Sequence, residues 1–171
     1  MTIIFFDGPD HSKKTSIARS VSEILKIPFW ERGAYLPHHH SHVSKDGAME
    51  LHQDPNSIWY IVDELKTINL FKKLGQHVIV DRHPKVSECV YRRIEGRTSC
   101  LEYDRTEPVD EFVVLCYDSK IVDKRHLVVT ETYKQILSKF GITYAYFDTS
   151  NGEDALQEIA TAIYQSIPRL R

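Results

Sequence analysis

The chain alternates between short apolar runs and longer segments in which apolar residues recur every three or four positions. Runs of the first kind predict buried β-strands, and segments of the second kind predict amphipathic helices. Strands are expected over residues 2–7, 28–31, 77–81, 111–117 and 143–147. Helices are expected over residues 14–25, 56–74, 86–93, 127–139 and 153–167. Such alternation is typical of a parallel sheet covered on both faces, so we predict one three-layer α/β domain over residues 1–171.

Two segments show no regular periodicity and are expected to be loops. Residues 33–55 are rich in His, Gly and Pro, and we expect them to lie over the carboxyl ends of the strands, where open α/β sheets bind ligands. The histidines within residues 38–42 are interpreted as solvated, because no carboxylate or cysteine follows at a spacing that would complete a metal site. Residues 95–109 form the second loop, which is charged and contains Tyr and Arg.

Composition and charge narrow the function classes. The 171 residues are 42% hydrophobic and 27% charged, which is ordinary for a globular domain with a substantial core. A formal net charge of −2 gives no general attraction to nucleic acid, so DNA is not indicated as a partner, although it stays open as an acceptor. The three cysteines have no paired spacing. Without a signal peptide or an apolar run of membrane-spanning length, we expect a cytoplasmic protein with no membrane partner.

The first strand, the loop after it and the first helix have the layout of a phosphate-binding loop. Residues 3–16 read IIFFDGPDHSKKTS, close to the pattern G-x-x-x-x-G-K-[ST] between a strand and a helix. Backbone amides at the helix start would surround phosphate oxygens, Lys14 would reach the β- and γ-phosphates, and Thr15 would bind Mg²⁺. Lys13 occupies the place of the second glycine, so it must adopt the dihedral angles that the loop imposes. The alternative is an ordinary polar turn.

A second motif supplies a carboxylate at the end of another strand. Asp81 ends the apolar strand over residues 77–81, and Arg82 follows directly. Phosphate loops work with a neighbouring strand that presents a carboxylate toward Mg²⁺. Asp81 would hold the metal or its water, and Arg82 would bind phosphoryl oxygens. The alternative is a strand end with a surface ion pair.

These two motifs resemble those of the thymidylate kinases. Residues 6–15, FDGPDHSKKT, are similar to the family's loop F-E-G-x-D/E-G-x-G-K-[ST], and residues 75–83, GQHVIVDRH, to its helix–Gly–strand–D-R-[YH] segment. In element order the resemblance covers nearly the whole chain. It implies that Asp10 approaches the acceptor nucleotide and that Asp81 and Arg82 organise the metal and the acceptor phosphate. It also implies that the segment containing Asn151 lies near the adenine of ATP.

The chain departs from the family's pattern in the loop, at the acceptor and in the lid. His11 and Lys13 replace two loop glycines, and the long helix lacks the family's arginine. Val90 and Tyr91 occupy the place of a Tyr-Gln pair that would face thymine, so base selectivity does not carry over. The lid is reduced to residues 119–126, whose cations are Lys120, Lys124 and Arg125.

Glu31 keeps a second class of acceptor open. It ends the second strand, near the place where related deoxynucleoside kinases carry a glutamate that accepts a proton from the substrate hydroxyl. A hydroxyl acceptor needs such a base, whereas a phosphate acceptor is already anionic.

We interpret the chain as a Mg²⁺-dependent enzyme that transfers the γ-phosphoryl group of ATP to a thymidylate-like (deoxy)nucleoside monophosphate. Two alternatives stay open: a kinase for a hydroxyl of a nucleoside or of a hydroxymethylated base in DNA, and a P-loop protein that binds nucleotide without turnover. A homodimer is also open. The expected catalytic residues are Lys14, Asp10, Arg82 and Glu31, and the expected metal ligands are Thr15 and Asp81. The residues expected to bind ATP are Gly8, Ser12, Lys13, Lys14, Thr15, Ser16, Arg125 and Asn151.

Overall fold

A parallel β-sheet forms the centre of the computed structural model, which describes residues 1–30, 72–73, 75–96 and 110–167. Within these ranges the strands are β1 (Thr2–Asp7), β2 (Phe29–Trp30), β3 (Val78–Asp81), β4 (Asp110–Tyr117) and β5 (Thr143–Asp148). The helices whose two ends lie within these ranges are α1 (Lys14–Leu25), α2 (Pro84–Ile94), α3 (Lys124–Phe140) and α4 (Gly152–Ser166).

The strands lie in the order β2-β3-β1-β4-β5, and every neighbouring pair is parallel. β1 therefore occupies the middle, with Ile3 opposite Val78 on one side and Thr2 opposite Asp110 on the other. Because the carboxyl ends of parallel strands meet at one edge, the segments that follow β1, β3, β4 and β5 converge there. The predicted α/β class with a five-stranded parallel sheet is confirmed.

Helices cover both faces of the sheet, as predicted. Successive side chains of β1 point to opposite faces, so Ile3 and Phe5 pack with residues of α2 and α3, whereas Ile4 and Phe6 pack with residues of α1 and α4. All four side chains are at most 1% exposed. This close packing holds the end of β1, and the loop after it, in a fixed position.

Two helices begin two or three residues earlier than their apolar periodicity indicates. α2 begins at Pro84 instead of residue 86, and the ring of His83 accepts a hydrogen bond from the Val86 amide. α3 begins at Lys124 instead of residue 127, and the Asp123 carboxylate accepts a hydrogen bond from the Arg125 amide at 3.0 Å. Periodicity marks buried positions only, whereas a polar cap and first turn precede them. The last three residues of the lid-like segment over 119–126 thus belong to α3.

Several predictions fall outside the described residues. They concern Glu31, the histidine-bearing loop over residues 33–55, most of the helix over residues 56–74 and most of the loop over residues 95–109. Residues 72–73 are helical, as predicted. Among the described helices, none combines the length and the apolarity needed to cross a bilayer.

Candidate active site

The chain leaves β1 at a point that admits only glycine. Gly8 has φ 139°, and a Cβ placed on it would lie 2.1 Å from the carbonyl oxygen of Cys116 in β4. A side chain cannot occupy that space, because the obstacle is the backbone of a central strand. Gly8 therefore allows the loop after β1 to start directly against β4.

The loop keeps glycine-like backbone angles where glycine is absent. His11 has φ 66° and Lys13 has φ 55°, both in the left-handed region. Each costs about 1–2 kcal/mol relative to an ordinary conformation. Inside the loop, the hydroxyl of Ser12 donates to the Pro9 carbonyl at 2.8 Å, and that of Ser16 donates to the Lys13 carbonyl at 2.8 Å. His11 and Lys13 therefore adopt the left-handed backbone that glycine would adopt most readily at these two positions.

Lys14 lies inside the loop, as the motif predicts. Its side-chain ammonium donates to the Pro9 carbonyl at 3.0 Å, and the residue is 5% exposed. Burial and, to a smaller extent, the charge of Arg82 lower the pKa of Lys14, against the opposing charges of Asp7, Asp10 and Asp81. A bound anion would favour the charged form and give the ammonium a stronger acceptor than a carbonyl.

Thr15 and Asp81 meet between α1 and β3. The Thr15 hydroxyl donates to Oδ2 of Asp81 at 3.0 Å. The other carboxylate oxygen, Oδ1, is buried and has no hydrogen-bond partner among the described residues. Burial raises the pKa of Asp81, against the Thr15 hydrogen bond and the charges of Arg82 and Lys14. A hydroxyl beside a carboxylate with a free oxygen fits a hard divalent cation such as Mg²⁺.

Arg82 and Asp10 form an ion pair at the mouth of the loop. The guanidinium Nη2 donates to Oδ1 of Asp10 at 2.9 Å. Burial alone would raise the pKa of Asp10, but the hydrogen bond and charge of Arg82 lower it below the ordinary value. The backbone of Arg82 is left-handed, with φ 71°, and its amide donates to the Phe6 carbonyl at 2.8 Å. The turn after β3 thus aims Arg82 at the phosphate loop.

A buried carboxylate that the sequence analysis did not single out holds this turn. Asp7 is fully buried and accepts hydrogen bonds from the amides of Gly8 at 2.9 Å and His83 at 3.0 Å. The hydroxyl of Ser87 lies 2.8 Å from Oδ2 of Asp7, and the Tyr133 hydroxyl donates to Ser87 at 3.3 Å. The available signal was an aspartate that ends a fully apolar strand directly before a glycine. A carboxylate in such a place needs several donors.

A cavity of about 200 Å³ opens between the phosphate loop and the start of α3. Asp10 and His11 line it on the loop side, Tyr91 on α2, and Arg125 and His126 on α3. The Tyr91 hydroxyl lies 3.5 Å from Oδ1 of Asp10, at the limit of a hydrogen bond. The structure therefore brings Arg125, predicted as a lid cation, to the same cavity as Asp10.

The segments after β4 and β5 are tied together on the other side of the loop. The Lys120 ammonium donates to the Ser150 carbonyl at 3.1 Å, and the hydroxyls of Ser119 and Ser150 lie 3.2 Å apart. Asn151 follows as the N-cap residue of α4, and its side chain makes no capping hydrogen bond. Asn151 is exposed, which leaves its amide accessible to a ligand beside the loop.

Comparison with known proteins gives matches among solved structures only. No protein-family model matches the chain, and no curated protein matches its sequence. Thymidylate kinase from Ehrlichia chaffeensis is 13% identical, with a TM-score of 0.64, and the match covers 96% of this chain and 97% of that one. YorR from Bacillus subtilis, in complex with phosphorylated GDP, is 22% identical, with a TM-score of 0.56 and coverage of 95% and 94%.

A proposed kinase from Chloroflexus aurantiacus is 15% identical, with a TM-score of 0.58, and the match covers 96% of this chain and 94% of that one. All three alignments run over nearly the full length of both chains, so the likeness extends over the whole order of strands and helices. The chain therefore has the fold of the thymidylate-kinase-like P-loop kinases.

Proposed function

We propose that the protein transfers the γ-phosphoryl group of ATP, in the presence of Mg²⁺, to the phosphate of a thymidylate-like (deoxy)nucleoside monophosphate. One observation carries the proposal. The buried ammonium of Lys14 and the Thr15–Asp81 pair lie together where β1 and β3 end. One carboxylate oxygen of that pair, Oδ1 of Asp81, has no hydrogen-bond partner within the part of the chain that the structure describes. A cation for phosphate oxygens beside oxygen ligands for a metal is the arrangement that phosphoryl transfer from a nucleoside triphosphate requires.

The donor triphosphate would bind along the loop after Gly8. Backbone amides at the start of α1 donate to its oxygens, and Lys14 exchanges the Pro9 carbonyl for the β- and γ-phosphates. Thr15 and Asp81 are the residues that would hold Mg²⁺, which when bound neutralises phosphate charge and orients the β- and γ-oxygens. The charged Lys14 then stabilises the equatorial oxygens of the transferring group.

The acceptor would approach from the side of Arg82 and the cavity. Arg82 exchanges Asp10 for the acceptor phosphate, and a guanidinium can bind two oxygens of that group at once. An oxygen of the acceptor phosphate then forms a bond to the γ-phosphorus, while the bond from that phosphorus to the β–γ bridging oxygen breaks and ADP leaves. The acceptor oxygen is anionic at neutral pH and needs no base.

Two structural neighbours support a nucleotide substrate. One is a thymidylate kinase, and YorR is seen with phosphorylated GDP. The side chains of this chain add the chemistry, because the ammonium of Lys14, the Thr15–Asp81 pair and the guanidinium of Arg82 lie at the edge of the sheet where open α/β sheets bind ligands.

The proposal is tested by offering Mg·ATP with a panel of acceptors. Thymidine, the deoxynucleoside and ribonucleoside monophosphates, and single- and double-stranded DNA are each supplied, ADP release is followed by a coupled assay, and products are separated by anion exchange. We expect a nucleoside diphosphate as product. In Lys14→Ala the turnover should fall at least ~10²-fold, whereas Lys26→Ala, which changes an exposed lysine at the far end of α1, should retain it.

If no monophosphate is phosphorylated, the product of the assay identifies which alternative function replaces the proposed one. Phosphorylation of thymidine or DNA, with no reaction of monophosphates, would replace the proposal by a kinase for a hydroxyl. ATP binding without turnover of any acceptor would replace it by a nucleotide-binding protein.

A further inference from the structure

Lys13 pays a conformational cost that glycine would avoid. Its left-handed backbone is the N-cap of α1, yet its side chain makes no capping hydrogen bond. A lysine at such a place, beside residues that are proposed to bind a ligand, calls for a reason outside local structure.

The side chain of Lys13 reaches across the loop to the ends of β4 and β5. Its ammonium lies 3.4 Å from Oδ2 of Asp118 and donates to the Thr149 carbonyl at 3.3 Å. The Asp118 side chain is only 7% exposed, and its other oxygen accepts the Lys120 amide at 2.9 Å. The Lys120 amide thus holds the Asp118 carboxylate in place on one oxygen, and the Lys13 ammonium contacts the other oxygen. Glycine at position 13 could not make this contact.

A second link runs in the opposite direction. The hydroxyl of Thr149, a fully buried residue, lies 2.9 Å from the Ser12 carbonyl and 2.7 Å from the Tyr117 carbonyl. Both links join the phosphate loop to residues 118–120 and 148–151. We call these residues the donor-base segment, because they include Asn151, which the resemblance to thymidylate kinases places near the adenine of ATP. Lys120 and Ser150 join the two halves of this segment to each other.

We propose that Lys13 is a positioning residue that fixes the donor-base segment relative to the phosphate loop through Asp118. The proposal rests on the proposed function in taking the donor to be a nucleoside triphosphate. A ligand that contacts both the phosphate loop and the donor-base segment binds more tightly when their relative position is set before binding, because less conformational entropy is lost on binding. The affinity of a ligand that contacts the loop alone should change little.

The proposal is tested by calorimetry without an acceptor, which compares the binding of Mg·ATP with the binding of Mg²⁺ and inorganic triphosphate, a ligand that has no base. Lys13→Met should weaken ATP binding about fivefold, the loss expected for one charge-assisted hydrogen bond with a partly exposed donor, and triphosphate binding by less than about twofold. Asp118→Asn keeps an acceptor for the Lys120 amide but removes the charge, so it should act in the same way. The double variant should be no weaker than either single variant, because both remove one interaction.

Each other result has a distinct meaning. If Lys13→Met lowers the affinity for both ligands equally and Asp118→Asn raises it, Lys13 binds phosphate directly and the proposal is wrong. If both variants lower only the unfolding temperature, with the ratio of ATP to triphosphate affinity unchanged, the pair is purely structural and the proposal is also wrong. Lys13→Gly, which relieves the backbone cost, should still lose ATP affinity.

Lys139→Met, at an exposed position in the last turn of α3, controls for the loss of one positive charge. The binding assay contains no acceptor, so its result does not depend on turnover. If the wild-type protein binds ATP but phosphorylates none of the acceptors in the panel, the proposed function is wrong and the proposal for Lys13 still holds. A wild-type protein that binds neither ligand would overturn both.

Discussion

Alanine at position 8 would place a methyl group at the closest approach between the phosphate loop and β4. The added Cβ would lie 2.1 Å from the Cys116 carbonyl oxygen and 3.1 Å from its carbonyl carbon. Cys116 is part of β4, which is hydrogen-bonded on both sides by β1 and β5. The methyl group therefore cannot be accommodated by a flexible side chain that moves away, and a strand must shift.

Two separate costs add up in this variant. A non-glycine residue held at φ 139° costs about 1–3 kcal/mol as backbone strain, and forcing a methyl group into a packed backbone costs about 1–3 kcal/mol more. The total is a substantial part of the roughly 5–15 kcal/mol that stabilises a domain. For a domain of this size, each kcal/mol lowers the unfolding temperature by about 2–4 °C. We expect the midpoint to fall by roughly 5–20 °C.

Control variants at two other glycines separate the cost of backbone strain from the cost of the steric clash. The stability of each variant is measured by thermal and urea unfolding, followed by circular dichroism. Gly141 has φ 61° with nothing within 4 Å of an added Cβ, so Gly141→Ala should cost about 1 kcal/mol. Gly152 has neither constraint, and Gly152→Ala at the start of α4 should be neutral or stabilise by about 0.5–1 kcal/mol. If Gly8→Ala were no more destabilising than Gly141→Ala, the contact between the loop and β4 would be refuted.

Three further predictions concern the site. Because burial raises the pKa of Asp81 in the folded state, its ionised form destabilises the fold; the cost begins as the pH rises through the unfolded-state pKa and is complete above the folded-state pKa. Asp81→Asn should therefore raise the unfolding temperature of the free protein at pH 7 and reduce the added stabilisation by Mg·ATP. Equal Mg²⁺ titrations for wild type and variant would remove the metal role. Arg82→Ala should raise the KM for the acceptor while leaving that for ATP nearly unchanged, and steady-state kinetics with either substrate varied would show the reverse if Arg82 served the donor. Glu31→Gln should act through acceptor binding if the acceptor is a monophosphate, whereas a fall in kcat of roughly 10²–10⁴-fold would indicate a hydroxyl acceptor.

Most of the fold could be predicted because its signals are local. α1 has the same bounds in the structure as in the prediction, and β1 likewise, since an apolar run marks the strand and a helical stripe marks the helix on either side of the loop over residues 8–13. The phosphate loop and the Asp81–Arg82 motif were found because each combines a strand end with a fixed order of polar residues. The structure then brings Thr15 and Asp81 within hydrogen-bond distance, although 66 positions separate them along the chain.

The remaining features of the site depend on partners that are distant in sequence. Asp7 accepts hydrogen bonds from His83 and Ser87, and Lys13 contacts Asp118 and Thr149. Nothing in the sequence around either residue names those partners, because the pairing depends on strand order and register. The left-handed backbone at Lys13 was likewise implied only by its place in the motif, since lysine has no preference for that conformation.

The central position of β1 has a consequence for how the protein forms. β1 is synthesised before both of its neighbours in the sheet, because β3 and β4 come much later in the chain. The amide of Thr2 bonds to His77, 75 residues away, and the hydroxyl of Thr149 reaches Ser12 across 137 residues. Closing such long loops slows folding, and an apolar strand without its partners is prone to aggregate. The nascent β1 strand is therefore a segment that benefits from protection by a chaperone until residues 110–117 have been synthesised.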